Sequence, residues 1–495
     1  MKPTYMSMYF PAQGLIMAAG QVLAGHPWYG ILAACSLMCA AICWMLQGWL
    51  PPGWALLGGM VAVLRLALFS YWIDTYTGAG AVAALGGALV LGALPRIKRY
   101  CRARDFFWMG LGMAILATSR PYEGLLVSIP AVVALGWWRF KEPIVNPAVP
   151  RAEAHRGTLR HAPRGVLFRR TMPAVMVLAA TFAFMGYYDY RVFGNVFTPP
   201  YKVNRDTYAV VQHFIWQPLQ PEPVYRHRIM HDFYAGSEFG SELRLYRDET
   251  HSVAGFLNDR AVTGVAAFLF YLNFALLPPL VMLPWAFRDR RIRNLVLTAA
   301  IVAVGLAVET FFLEHYLAPA TVLVYAILLQ CMRHLRVRGA SGLFLVRAIP
   351  VLCVALALLR VFAQPLHIDI GAGRTITHSW YGAAPVGLER AQVLKQLESL
   401  PGPQLAVVPY SPSHMLNDWV YNDANIGKSK VIWARQMDPA SDRKLLEYYK
   451  NRTAWLVYPN CNPPKIVPYR EDYPRDNGDA IAPIHTSQHS GGTTR

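Results

Sequence analysis

The segment Thr118-Ser119-Arg120-Pro121-Tyr122-Glu123-Gly124 sets an arginine and a carboxylate three residues apart between two apolar runs. Charges beside a hydrocarbon layer are costly unless they are paired or used. One reading gives them chemistry. The planar fork of Arg120 suits a phosphate, and Glu123 can orient it or handle a proton. The other reading is architectural. Pro121 opens the next helix, Glu123 sits in its first turn where the helix dipole favours acids, and Arg120 snorkels to the surface.

Further groups invite the same double reading. Asp74, in Tyr71-Trp72-Ile73-Asp74-Thr75-Tyr76, closes an apolar run among aromatics. It suits a base or a cation ligand, or caps a helix starting near Gly78. His315, in Glu314-His315-Tyr316 just before Pro319, suits phosphate pairing or proton shuttling, or an interfacial polar belt. Arg65 falls near the middle of an apolar run, where a charge needs a partner or a lipid phosphate. His227, His231 and Asp232 lack a neat ligand set for a metal. Cys35, Cys39 and Cys43 share one helical face with no His or acid beside them, and read as small packing residues. No C-x-x-C occurs.

The elements that must hold these groups are membrane spans. The chain has 495 residues, 54% of them hydrophobic and only 15% charged, with 14 Trp and 26 Tyr. A soluble chain needs more polar surface. About ten runs are long and apolar enough to span: residues 28–47, 52–73, 78–95, 106–119, 124–138, 173–190, 262–287, 295–310, 316–331 and 344–362. Residues 11–25 read as an interfacial or partly inserted helix.

The net charge of +18 is gathered in alternate loops. Residues 96–105 hold Arg96, Lys98, Arg99, Arg102 and Arg104 against one acid, residues 139–172 hold eight Lys or Arg, and residues 288–293 and 333–347 are Arg-rich. The loops at Asp74, at 120–123 and at 309–315 are poor in net charge, and residues 191–260 balance eight basic against eight acidic groups. Basic loops stay in the cytoplasm. The other set then faces outward, and the excess charge needs no nucleic acid to explain it. The expected location is the bacterial inner membrane, multi-pass, with the C-terminal domain outside.

Residues 1–363 thus read as a membrane domain with a long outer loop at 191–260, and 472–495 as a disordered tail. Residues 364–471 read as a small α/β domain. Short β-rich runs at 404–409, 430–434 and 454–459 alternate with helical patterns at 388–400 and 442–451, suggesting a partly parallel sheet. No P-loop, G-x-G-x-x-G or G-x-S-x-G occurs there.

The order of spans, the turn Arg120-Pro121-Tyr122-Glu123-Gly124, and His315-Tyr316 with Pro319 before a late span resemble the GT-C superfamily of membrane glycosyltransferases. The resemblance is to family-39-like proteins, related to protein O-mannosyltransferases and to the aminoarabinose transferases of lipid A. It extends to Ser70-Tyr71-Trp72, to residues 195–201, and to Trp419-Val420-Tyr421-Asn422 with Val431-Ile432-Trp433-Ala434-Arg435. It covers residues 5–469, through short motifs in a matching order. It implies transfer of a sugar from a polyprenyl-phosphate carrier to a glycan, lipid or protein acceptor on the outer face. Asp74 and Glu123 would supply the acid chemistry. Arg120, Tyr122, His315, Tyr316 and Arg65 would bind lipid phosphate. Some such enzymes use a divalent cation, for which no acidic cluster is evident here, and no other cofactor is implied. The family carries its main acid in a first outer loop after a first helix. Met1-Lys2-Pro3-Thr4-Tyr5 resembles the end of that loop. The expectation is therefore a chain lacking that helix and that acid, with a start upstream or as a truncated relative binding lipid or a partner without catalysis. A transporter or flippase is a third reading, weakened because no internal repeat is seen.

Overall fold

The computed structural model describes residues 7–68, 70–141, 164–225, 228–236, 241–362, 365–367, 388–411, 414, 418–423 and 425–470. The expected tail at 472–495, most of the basic loop at 139–172, and His227 lie outside the described residues. The chain divides into two compact units, the second made of residues 208–211, 218–247 and 384–495.

The first unit is helical. Its helices are α1 (Pro11–Ala24), α2 (Trp28–Trp49), α3 (Pro52–Ala62), α4 (Gly80–Tyr100), α5 (Ala103–Ala117), α6 (Pro121–Lys141), α7 (Arg164–Phe193) and α8 (Pro200–Tyr208). After α9 (Arg228–Tyr234) and α10 (Glu242–Thr250) come α11 (Val253–Tyr271), α12 (Leu283–Arg288), α13 (Arg293–Leu306), α14 (Thr321–Arg336) and α15 (Gly339–Phe362). Among the described residues, seven helical segments are long and apolar enough to cross a membrane, and three shorter apolar ones join them, at Pro52–Ala67, Phe274–Arg288 and Arg293–Leu306. The chain is an α-helical multi-pass membrane protein.

Helix α4 is the axis of this unit, with 83% of its apolar window buried, whereas α7 is at most half-buried along most of its length. Small side chains let neighbours close in on α4. At Gly87 a methyl group would collide with the Pro319 carbonyl. Two expected spans are broken. The run at 52–73 is helical to Ala62, passes through a π-helical turn at Val63–Ala67 that holds Arg65, and ends in a 3-10 turn at Tyr71–Ile73. The run at 262–287 breaks at Asn273, whose backbone is left-handed at φ 64°, and continues as 3-10 turns into α12. Helix α11 itself starts at Val253, capped by the Ser252 side chain, inside what read as loop.

The second unit carries a four-stranded sheet, β1 (Gln404–Val408), β2 (Val431–Arg435), β3 (Thr453–Tyr458) and β4 (Lys465–Pro468), in the order β2-β1-β3-β4. β1 runs parallel to β2 and β3, and β4 is antiparallel to β3. A central parallel strand is covered on both faces, which is why Leu405-Ala406-Val407-Val408 is continuously apolar. Ala406 and Val408 pack with Val393 and Leu397 of α16 (Glu389–Ser399), while Leu405 and Val407 pack with Leu445 and Leu446 of α17 (Pro439–Tyr448). Separately, Tyr225 and Tyr234 pack together with Ala209.

Candidate functional site

The α5–α6 turn winds tightly, with the Arg120 amide donating to the Leu116 carbonyl at 2.8 Å and Thr118 Oγ1 to Ala114 at 2.8 Å. Ser119 Oγ likewise donates to the Ile115 carbonyl at 2.6 Å. Pro121 follows at the first position of α6, as the architectural reading requires. That reading is incomplete, because Arg120 does not snorkel. Its side chain is only 5% exposed. Nε and Nη2 donate to the Gly78 carbonyl at 3.2 and 3.1 Å, and Nη1 donates to Glu123 Oε1 at 3.2 Å. The Tyr316 ring lies 4.3 Å from its Cζ, a cation–π contact.

Gly78 makes this possible. Its φ of +79° turns a carbonyl toward Arg120, and a Cβ there would come within 3.0 Å of the His315 ring. His315 Nδ1 is 2.7 Å from the Tyr71 hydroxyl. Tyr271 donates from its hydroxyl to the Glu314 carbonyl at 2.8 Å, and Tyr325 donates to the Tyr271 carbonyl at 3.2 Å. Helix α1 reaches the same turn, its Ala12 amide donating to Thr118 at 3.0 Å. Just before α1, Tyr9 packs edge-on against Tyr201, which also meets His213 at 5.8 Å between ring centres. Burial raises the Tyr201 phenol well above its usual range against the pull of Arg120, so it keeps its proton. Burial, with Arg205 next, lowers His213 to about 4, leaving a neutral imidazole.

Glu309 completes the cluster. The strip around Phe214 pins it: Ile215 donates to Val308 at 3.1 Å, Thr310 donates from its amide to His213 at 3.1 Å, and Thr310 Oγ1 donates to Gln212 at 2.7 Å. Glu309 Oε2 is buried without a hydrogen-bond partner among the described residues. Burial first, and Glu123 second, push its carboxyl up to about 9, with Arg120 and Arg260 pulling the other way. Arg260 itself is ion-paired with Glu249. Two carboxylates, Glu123 and Glu309, therefore share the field of one buried guanidinium.

The structure brings Arg120, Glu123, His315 and Tyr316 together. Other candidates fall elsewhere. Tyr122 spends its hydroxyl on the Gly305 carbonyl at 2.9 Å and its ring on Phe214 at 5.0 Å, so it ties α6 to α13 rather than facing phosphate. Asp74 ends the Tyr71–Ile73 turn and is exposed, while Arg120 and Glu123 are buried. It does not cap α4 either, whose N-cap is Ala79 without a side-chain cap. Arg65 donates to the Leu269 and Phe270 carbonyls at 2.9 and 2.8 Å. In the second unit, His231 pairs with Asp232 at 3.0 Å and Glu222 at 3.4 Å. Among the described residues no group of three or more His, Cys, Asp or Glu is arranged to hold a metal ion. Sequence reading missed Glu309, Tyr9, Tyr201 and Tyr71 as members of the site. Glu309 had a signal, a lone acid directly after an apolar run.

No family model, no curated protein and no solved structure matches this chain.

Proposed function

We propose that this protein is a membrane glycosyltransferase that moves a sugar from a polyprenyl-phosphate carrier to a glycan, lipid or protein acceptor on the outer face of a bacterial inner membrane. The observation that carries the reading is the buried Arg120, held between Glu123, the Gly78 carbonyl and the Tyr316 ring, with Glu309 beside it. A buried cation at the ends of apolar helices suits a phosphate attached to a lipid.

In the proposed reaction the acceptor hydroxyl attacks the anomeric carbon, and the bond from that carbon to the carrier phosphate breaks. The charge left on the phosphate is stabilised by Arg120. Glu123, paired with Arg120 in the resting site, takes the acceptor proton once the guanidinium turns to the phosphate. Glu309, protonated at neutral pH, donates a hydrogen bond to the leaving phosphate. Asp74 has no part in this scheme. The outward side follows from the basic connections, which occur at the opposite ends of α4, α5, α13 and α14.

The test is consumption of a polyprenyl-phosphate-linked sugar by the full-length protein in bilayers. Arg120→Ala with Glu123→Ala is expected to slow it at least about a hundredfold, the scale seen when one preorganised charge-stabilising donor is removed. An unchanged rate removes this site. Sugar movement across the bilayer without covalent transfer overturns the reaction in favour of transport.

A further inference from the structure

A cavity of about 280 Å³ lies in the first unit between the start of α3, the last turn of α14 and the early turns of α15. Trp54, Leu57, Leu343 and Val346 give it an apolar wall, and Arg336 and Arg347 supply its charge. Among the described residues no carboxylate lines it. It is remote from the Arg120 cluster. α14 begins at Thr321, directly after the turn that holds His315, and ends at Arg336. Its 16 residues, at about 1.5 Å each, carry the chain about 24 Å. A hydrocarbon layer is about 30 Å thick, so the cavity belongs to the leaflet opposite that cluster. Arg347 is the anomalous member. By sequence it closes an Arg-rich connection, yet it stands well inside the apolar helix α15, between Val346 and Ala348. Phe344 and Val351, three residues before it and four after, share its face and are 70% and 68% exposed. That face meets hydrocarbon, where a guanidinium is costly unless it reaches a polar partner. Among the described residues neither Arg336 nor Arg347 has a hydrogen-bonded or ion-paired side chain.

We infer that this cavity holds the headgroup of an anionic glycerophospholipid. Its phosphate sits between Arg336 and Arg347, its glycerol rests against Trp54, and its acyl chains run along Phe344 and Val351. Two guanidiniums beside an apolar wall match a phosphodiester joined to chains, and basic pockets between spanning helices recognise such headgroups. A water-soluble anion gains nothing from the hydrocarbon-facing side. A zwitterionic headgroup brings its own ammonium to a pair of arginines and loses part of the attraction. The inference stands apart from the transferase reading, because the cavity lies at the other end of α14 and its occupancy is read by binding.

The test is native mass spectrometry of the full-length protein released from detergent, with phosphatidylglycerol, phosphatidylethanolamine, inorganic phosphate and polyprenyl phosphate as probes. One tightly held phosphatidylglycerol is expected, with phosphatidylethanolamine and inorganic phosphate each at least about tenfold weaker. Arg336→Gln with Arg347→Gln should weaken phosphatidylglycerol at least about tenfold. Arg290→Gln with Arg338→Gln removes the same charge from exposed positions outside the cavity and should leave retention unchanged. Leu343→Trp, which keeps both arginines and fills the cavity, should weaken retention as the cavity pair does, and it decides the matter where that pair does not fold. Wild-type retention in a folded cavity variant, or equal retention of phosphatidylethanolamine, overturns the site. An equal loss in the control pair shows attraction to the basic surface as a whole and overturns it too. Preferential retention of polyprenyl phosphate reassigns the cavity to the carrier and likewise overturns it.

Discussion

Replacing Gly78 with alanine puts a methyl group 3.0 Å from the His315 ring and a side chain on a backbone held at φ +79°. The left-handed conformation alone costs a non-glycine residue about 1–2 kcal/mol. Gly78→Ala is expected to lower the apparent melting temperature in detergent by a few degrees. Sugar transfer should fall with it, because the carbonyl that holds Arg120 shifts. Gly53→Ala, with nothing within 4 Å, is the control and should leave both unchanged. Arg120→Lys tests the geometry of the charge. A point charge cannot serve the Gly78 carbonyl and Glu123 as the fork does, so transfer should stay at least about tenfold below wild type although the charge is kept. A wild-type rate with lysine would refute the role given to the fork. Glu309 brings a pH dependence. Its folded value, about 9, lies above its ordinary 4.5, so the folded protein keeps a proton that the unfolded chain has released. The stability it contributes is full below the ordinary value and is lost as pH rises through the folded one. Glu309→Gln should flatten the fall in melting temperature between about pH 5 and pH 9. Parallel curves would contradict the assignment. At this scale the sequence was legible where type and neighbourhood coincide, as with Arg120-Pro121-Tyr122-Glu123 and Glu314-His315-Tyr316. Glu309 and Tyr201 were not: Glu309 is pinned by a strip more than ninety residues before it, Tyr201 meets Tyr9 from the start of the chain, and no local pattern encodes either contact.

Among the elements, regular ones were readable and broken ones were not. The apolar runs of α2, α4 and α14 gave their helices directly. The runs at 52–73 and 262–287 looked continuous because a π turn and a left-handed asparagine barely change hydropathy. In the sheet, β1, β2 and β3 fall on the β-rich runs, whereas β4 is a four-residue edge strand ending in Pro468, too short to show an alternation. The paired motifs 419–422 and 431–435 have a structural account. Asn422 clamps the edge strand, receiving the Trp433 amide at 2.8 Å and donating to the Trp433 carbonyl at 2.8 Å. Arg390 donates to the Trp419 and Tyr421 carbonyls and lies over the Tyr421 ring at 3.5 Å. Asn422→Ala leaves two buried backbone groups short of partners, at about 1–3 kcal/mol each. Amide exchange at Trp433 should quicken correspondingly, while β3 stays protected. Unchanged protection at Trp433 would show that the clamp carries no weight.

For the whole molecule, the decisive question is which way the helices run. Arg120, His315, Gly78 and the end of α13 meet, so one end of each of α4, α5, α6, α13 and α14 belongs to the site. Cys461 supplies a native probe of the second unit, as the exposed one among the free cysteines. A membrane-impermeant maleimide added to intact spheroplasts should label it if that unit is extracytoplasmic. Labelling only after lysis would reverse the proposed orientation. The central position of α4 has a further consequence, for synthesis. Its surface of small residues is sealed in part by α14, which begins at Thr321, whereas α4 ends at Tyr100. At roughly 5–20 residues per second, translation leaves that surface unsealed for on the order of ten to forty seconds. During that interval the nascent chain must be sheltered at the insertion machinery with α2, α5 and α6 as the packed neighbours of α4, so the order in which helices leave the ribosome is as much a requirement of this fold as their final packing.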